Sequence, residues 1–316
     1  PPHCAAGSPA PTREPDTPMT EAPAIDDAEI ARYRAFVGRE ARQTCVIAPE
    51  SCDLMAATLD RDDPPFQSGD PLPPMWSWMG FRPHARRSRI GEDGHPARGD
   101  FLPPVALPRR MFGGARFRYL APLPCGETIE RVQRIAAVEA KRGASGLMVR
   151  VTVAQDYLVD GVRRVAEEQD IIYREAARPG EGGDAAPDAP PVAPPDAPWA
   201  ETYAPDPVTL FRYSALTFNG HRIHYDRRYA VETEGYPGLV VHGPLTATLL
   251  ADLCRRHTGR ALWAGWEFRA SRPLFDVSPV HLRGEPAADG LSAALAAYDG
   301  AGRLAMTARA TFETAV

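Results

Sequence analysis

The densest group of polar, titratable side chains in this 316-residue chain lies between residues 211 and 226, in the segment FRYSALTFNGHRIHYD. His221 and His224 stand three residues apart beside an apolar residue, and Thr217, Asn219 and Asp226 belong to the same ten residues. A half-buried histidine can have a pKa near neutrality, which general acid–base catalysis requires. The segment therefore predicts proton-transfer chemistry, although a solvated surface loop could have the same composition.

A second element of chemical interest follows about sixteen residues later, where the sequence reads VVHGP at 240–244. Pro244 is a helix-start signal, and leucines at helical spacing predict a helix over about 244–257. Backbone N–H groups at a helix start have no intrahelical acceptor, so the amide of Gly243 can stabilise a negative charge. A histidine base beside such an oxyanion hole is what the hydration of an enoyl thioester requires.

The composition argues against several other classes of protein. The net charge is only −5 and the basic residues are spread along the chain, so nucleic acid is not an expected partner. No apolar run approaches the roughly 20 residues of a membrane span, so no membrane partner is expected. The five cysteines form no CxxC pair, which argues against a metal site and favours a reducing, cytoplasmic setting. The arginines, which far outnumber the single lysine, either reflect genome composition or hold phosphates.

The elements that must position this chemistry belong to the second of two predicted units. Residues 1–25 read as a disordered leader, and residues 176–200 read as a linker rich in Pro, Ala, Gly and Asp. This division leaves an N-terminal unit over 26–175 and a C-terminal unit over 201–316. With 44% hydrophobic residues the chain can bury a core of that size.

The two units share a faint internal repeat, FRYLAPL at 117–123 and FRASRPL at 268–274. Each copy precedes a tight turn and a run of strand-like segments, as the period-two alternation of Leu147, Val149, Val151 and Val153 illustrates. The second unit reads as a loop, one buried helix and then antiparallel strands, which predicts an α+β layer around a helix. The predicted strands cover residues 129–140, 147–158, 163–173, 280–284, 291–298 and 303–313.

These motifs resemble the MaoC-like hydratases and dehydratases of the hot-dog fold. In that family an Asp-x-Asn-Pro-x-His-x-Asp loop is followed by a Val-His-Gly helix start. The spelling here is most similar to the branch of mesaconyl-CoA and itaconyl-CoA hydratases and type 2 hydroxyacyl-thioester dehydratases. The first unit resembles the same branch in LPPMW at 72–76, GEDGHPARGDFLPPVALPRRMFGG at 91–114 and EEQDIIYRE at 167–175.

The resemblance implies an α+β double hot-dog, in which each unit is an antiparallel sheet wrapped round a central helix. Only the second unit carries the His-x-Asp and Val-His-Gly elements, so we expect one active site per chain, with the first unit shaping the pocket. The implied activity is reversible hydration of an α,β-unsaturated acyl-CoA, with a short branched dicarboxylyl-CoA such as mesaconyl-C4-CoA as the expected substrate. CoA enters as part of the substrate, and no separate cofactor or metal is expected. A homodimer is the expected assembly.

The family's site residues carry over one by one. His224 matches the histidine of His-x-Asp and is the expected acid/base, while Gly243 matches the glycine whose amide faces the thioester oxygen. Thr217 stands where the family keeps its aspartate, so the source of that carboxylate is open between Asp226, His221 and a group from the first unit. The predicted catalytic set is Asn219, His224, Asp226 and Gly243, and the predicted substrate-binding set is Thr217, His221, Arg222, Tyr225 and His242.

Structural roles compete with some of these assignments. Asp226 could be a local cap or ion-pair partner, His221 a satisfied structural histidine, and His242 a residue that packs beneath the loop. Arg222 could be solvated, or could contact a CoA phosphate or a substrate carboxylate. At the level of function, a hot-dog acyl-CoA thioesterase and a non-catalytic acyl-CoA-binding protein are the alternatives.

Overall fold

Ten antiparallel strands form one continuous sheet in the computed structural model, which describes residues 25–143, 146–175, 192–259 and 263–313. The strand order is β1-β3-β4-β5-β2-β7-β10-β9-β8-β6, so the two halves repeat the same order about the β2–β7 junction. The strands are β1 Glu40–Val46, β2 Arg109–Tyr119, β3 Thr128–Gly143, β4 Gly146–Val159, β5 Val162–Arg174, β6 Trp199–Tyr203, β7 Gly265–Ala270, β8 Val280–Pro286, β9 Ser292–Tyr298 and β10 Leu304–Thr311.

The two halves meet at the internal repeat. β2 pairs with β7 from Gly114↔Arg269 to Arg118↔Gly265, so the FR dipeptides of the two copies lie on neighbouring strands. A sheet that continues through this junction holds the two units in one register. The fold is therefore α+β with two five-stranded halves, as the sequence predicted.

Alternate side chains of a strand point to the same face of the sheet, and in this sheet that face is apolar and buried. On β4, Leu147, Val149, Val151 and Val153 are all buried, as the period-two pattern predicted. They belong to a cluster that the N-terminal helix α1 (Asp27–Arg34) closes with Ile30 and Tyr33. A separate, larger core fills the rest of both units.

The long helix of the second unit, α4, covers Gly243–Thr258, and this confirms the predicted helix within one residue at each end. Its apolar stripe, including Leu245, Leu250 and Leu253, is buried against β8, β9 and β10. Gly259 ends it in the left-handed conformation that favours glycine. The first unit has a shorter helix, α2, over Pro49–Thr58.

A further helix, α3, covers Pro207–Thr217, where the sequence predicted a loop. Asp206 caps it by accepting hydrogen bonds from the backbone of Val208 and Thr209, and Pro207 occupies the first turn. The helix ends at Phe218, whose φ of 52° is left-handed. The polar stretch that follows is thus delivered by a helix end.

Two predicted segments lie wholly or partly outside the described residues. Residues 1–24 of the leader and 176–191 of the linker are not described. The linker prediction extended too far at its C-terminal end, because Trp199 and Ala200 pair with β8 as part of β6. Of the helices in the described ranges, none combines the length and the hydrophobicity that crossing a membrane requires.

Candidate active site

His224 lies on the wall of a large cavity at the end of a short helical turn, Arg222–His224. Its Nδ1 atom is 2.7 Å from the carbonyl oxygen of Val240 and must donate to it. In the neutral ring, Nε2 therefore carries the free lone pair. Burial lowers the pKa of His224 to about 4, so the ring is neutral at pH 7 and can accept a proton.

His242 lies behind His224 and not among the cavity residues. Its side chain is fully buried, and the two imidazole rings stack with centroids 3.7 Å apart. Ser214 on α3 holds its Nε2 atom at 2.8 Å. Burial keeps the pKa of His242 well below its usual value, so the ring supports His224 without adding a positive charge. This location favours the structural interpretation of His242.

Gly243 lines the same cavity as the first residue of α4. Because it begins the helix, its N–H has no intrahelical acceptor. The helix dipole adds partial positive charge at this end. The structure thus brings the neutral imidazole of His224 and a helix-start amide to one cavity.

Asn219 and His221 also line the cavity. The Oδ1 atom of Asn219 accepts a hydrogen bond from the His221 backbone at 3.0 Å, which leaves its amide NH₂ available to other partners. The His221 ring meets His224 edge-on, with centroids 5.4 Å apart. Burial, with the neighbouring His95 and His224, lowers the pKa of His221 to about 2, so this ring is neutral too.

The remaining predicted residues are not among those that line the cavity. Thr217 donates its hydroxyl hydrogen to the carbonyl of Tyr213 inside α3. Tyr225 is exposed and donates to the carbonyl of Gly220. The Nε and Nη2 atoms of Arg222 donate to Oδ2 of Asp226 at 3.1 and 2.7 Å. None of the three has a side chain that the geometry points to as a substrate contact.

Asp226, which the sequence predicted as catalytic, has local hydrogen-bond partners for both carboxylate oxygens. Its Oδ1 atom accepts from the backbone of Tyr229, and this bond, followed by the pair with Arg222, lowers its pKa. Both carboxylate oxygens are therefore engaged in the local turn. The geometry favours the cap and ion-pair interpretation over a catalytic one.

A loop of the first unit supplies two titratable residues that the sequence reasoning did not place in the site. Asp93 and His95 line the cavity together with His221 and His224. The Nδ1 atom of His95 lies 3.0 Å from Oδ2 of Asp93, and the rings of His95 and His221 have centroids 4.1 Å apart. The sequence reads Asp-Gly-His at 93–95, but no local feature of this loop predicts contact with residues more than a hundred positions away.

The cavity has a volume of about 1360 Å³, above the roughly 300–1,000 Å³ of ordinary small-molecule pockets. Both units contribute to it. Apart from the histidines, the lining includes an apolar set and a basic set of side chains. The apolar set includes Met111, Phe112, Phe268, Leu274 and Met306, and the basic set includes Arg110, Lys141, Arg150, Arg174 and Arg269.

The arginines of this cavity differ in the hydrogen-bond and ion-pair partners of their guanidinium groups. Arg98 donates to the carbonyls of Val105, Leu107 and Pro108, and Arg116 pairs with Asp170 and Glu168. Arg110 is half-buried and close enough to His221 to depress the pKa of that ring. Within the described residues no carboxylate forms an ion pair with Arg110, so its charge is available to a ligand.

Comparison with known proteins agrees with this geometry. The family described as hydroxyacyl-thioester dehydratase type 2 matches residues 75–276. The mesaconyl-C(4)-CoA hydratase of Chloroflexus aurantiacus is 43% identical over 277 residues, which are 88% of this chain and 97% of that protein.

Solved structures show the fold. A MaoC-like dehydratase from Phytophthora capsici superposes with a TM-score of 0.66 at 12% identity, over 90% of this chain and 98% of the other. HtdX from Mycobacterium tuberculosis gives a TM-score of 0.59 at 16% identity, over 87% and 99%. The predicted α+β double hot-dog is confirmed.

Proposed function

This chain belongs to the hydroxyacyl-thioester dehydratase type 2 family, and from that premise we propose that it reversibly adds water to the double bond of an α,β-unsaturated acyl-CoA. The enzyme is a hydro-lyase that acts on a thioester. The observation that carries the proposal is a single cavity lined both by the neutral His224, with a free Nε2 lone pair, and by Gly243, whose amide begins a helix.

The chemistry follows from these two groups. The N–H of Gly243 donates to the thioester oxygen, which gains negative charge as the β-carbon is attacked. His224 takes the proton from the attacking water through Nε2. The free NH₂ of Asn219 donates to that water and positions it. Nothing in this sequence of events requires redox chemistry or a separate cofactor, and CoA enters as part of the substrate.

The substrate that we propose is mesaconyl-C4-CoA or a close dicarboxylyl relative. The C. aurantiacus relative is named for its action on that thioester. Such an acyl group ends in a carboxylate, which needs a cation in a part-apolar pocket. Arg110 provides one, because its guanidinium lies near His221 and has no carboxylate partner in the described ranges. The basic set that includes Lys141 and Arg174 suits the phosphates of CoA.

The setting of the enzyme is also a proposal. We assign it to the cytoplasm because Cys45, Cys52, Cys125 and Cys254 are free thiols, as a reducing compartment would keep them. We propose a homodimer, the commonest assembly of soluble enzymes. Mass determination in solution tests the second point.

A direct assay tests the function. The purified protein is mixed with mesaconyl-C4-CoA and, in parallel, with crotonyl-CoA, and the absorbance of the conjugated enoyl thioester is followed. We expect the absorbance to fall with mesaconyl-C4-CoA and the product to gain the mass of one water. A parallel assay uses a thiol reagent to detect free CoA. Release of free CoA in place of hydration would identify the protein as a thioesterase. No turnover on a broad acyl-CoA panel would defeat the proposal.

A further inference from the structure

The loop that carries Asp93 and His95 is anchored directly on the catalytic segment of the second unit. The backbone N–H of Arg222 donates to the carbonyl of Asp93 at 2.9 Å, and its Nη1 atom donates to the carbonyl of Glu92 at 3.2 Å. Gly94 has a φ of +89°, and a Cβ atom there would overlap the carbonyl oxygen of Gly220. Backbone contact this close fixes the position of His95 relative to His224.

Asp93 orients the His95 ring. Its Oδ1 atom accepts from the His95 backbone at 2.9 Å and its Oδ2 atom lies 3.0 Å from Nδ1. The hydrogen bond from His95 keeps the pKa of Asp93 well below its usual range, so the group is a carboxylate. A carboxylate at Nδ1 accepts the Nδ1–H and fixes the orientation of the ring, so Nε2 is the ring nitrogen through which His95 can exchange a proton with a substrate.

The pair stands beside the base assigned above. The His95 ring contacts His221, and His221 contacts His224, so the three imidazoles form a row along the cavity wall. Hydration needs two proton transfers, one from the attacking water and one to the α-carbon. The family aspartate is absent because Thr217 occupies its place, so one of the two transfers lacks an obvious group on the second unit.

We propose that His95, held by Asp93, is the second acid/base of the reaction and is supplied by the unit that lacks the His-x-Asp motif. This inference rests on the proposed function. As the water oxygen bonds to the β-carbon, His224 accepts the water proton and the C=C electron pair moves to the α-carbon. His95 donates its Nε2 proton to that carbon. His224 then releases a proton to solvent and His95 takes one up, so the net change is the addition of one water.

Among the described residues, the groups that interact electrostatically with Asp93 or His95 include His221, His224 and the phenol of Tyr229. Arg222 bonds to the loop backbone at Glu92 and Asp93, and the guanidinium of Arg110 acts on His221. His221 and His224 are neutral at pH 7, so the Asp93 carboxylate is the charge in direct contact with His95.

The test uses His95→Asn and Asp93→Asn in the full chain, with His84→Asn and Asp100→Asn as matched controls at exposed positions. The side-chain amide of asparagine at position 95 can still donate a hydrogen bond to Asp93, but it has no counterpart of the imidazole Nε2 that would transfer the proton. We expect His95→Asn to lower kcat by about 100-fold or more, within the range for lost acid–base catalysis, with KM changed less than about threefold. The controls should stay at the wild-type rate.

The pH profile separates proton transfer from mere loop support. If His95 transfers a proton, one limb of the wild-type profile of kcat/KM against pH should vanish in His95→Asn and persist in His84→Asn, whereas a purely structural role would lower the rate without changing the shape of the profile. If the wild type hydrates the substrate and His95→Asn is equally active, the inference fails while the proposed function stands. If a chelator abolishes the wild-type rate and a divalent metal restores it, the cluster is a metal site and the inference is overturned.

Discussion

Replacing Gly94 by alanine tests whether the contact between the two units sets the geometry of the active site. Gly94 is left-handed, and the added Cβ atom would lie well inside the 3.0 Å that real Cβ atoms keep from backbone oxygen. The obstacle is the carbonyl of Gly220, a backbone group that no side-chain rotation can relieve. The loop over 91–98 must therefore move away from residues 219–222 by about 1 Å.

The magnitude follows from that displacement. A misplacement of about 1 Å in a catalytic constellation costs on the order of 100-fold in rate. The left-handed backbone adds about 1–2 kcal/mol of strain for any residue with a Cβ atom. We therefore expect Gly94→Ala to lower kcat by about 100-fold and to lower the free energy of unfolding modestly.

A second glycine separates the two causes. Gly161, in the turn between β4 and β5, has a similar φ of +75°, but a Cβ atom added there would have no other atom within 4 Å. Gly161→Ala should lose the strain energy alone, with wild-type kcat. Urea unfolding measures the stability of both variants, and the enoyl absorbance assay measures their rates. A Gly94→Ala enzyme within about threefold of the wild-type kcat would refute the reasoning.

Three other changes have defined outcomes. His224→Asn should lower kcat by about 10²–10⁴-fold. Below pH 6.5 the unfolded histidine binds a proton that the folded one, with its pKa of about 4, does not, so the wild type loses stability there and the variant should lose less. Unfolding over a pH series measures this difference. Arg110→Met should raise KM for mesaconyl-C4-CoA by about 10–100-fold, the loss of a charged hydrogen bond, with little effect on crotonyl-CoA; equal effects on both thioesters would contradict a carboxylate contact. Asp226→Asn should lower the urea midpoint while keeping most of kcat, because Asp226 caps a turn; its lowered pKa means that this stability is present at neutral pH and lost as the carboxylate is protonated in acid.

Local signals in the sequence were sufficient to predict the long helix of the second unit. The helix over 244–257 had a proline start, a leucine stripe and a glycine stop, and α4 runs from Gly243 to Thr258. Asp206-Pro207 is a helix-start signal, a capping residue followed by a first-turn proline, and α3 begins there. The sequence nevertheless predicted a loop, because the polar side chains that follow are typical of loops. The spacing of Arg222 and Asp226, four residues apart, also favoured the ion pair that the structure shows between them.

The first-unit half of the candidate site could not be found in this way. Asp93 and His95 lie in a loop whose own composition predicts only turns, and their neighbours His221 and His224 come more than 120 residues later. Their proximity depends on the β2–β7 junction and on the contact of Gly94 with Gly220. Both are long-range features that no window of sequence contains.

The continuous sheet brings residues of both units to the lining of one cavity. The second unit keeps the buried histidine pair and the long helix that presents Gly243, whereas the first unit has the shorter α2 and contributes a loop. Because β2 and β7 pair directly, the loop that precedes β2 is held against residues 220–222 of the second unit. An isolated second unit should therefore lack both the Arg110 charge and the Asp93–His95 pair.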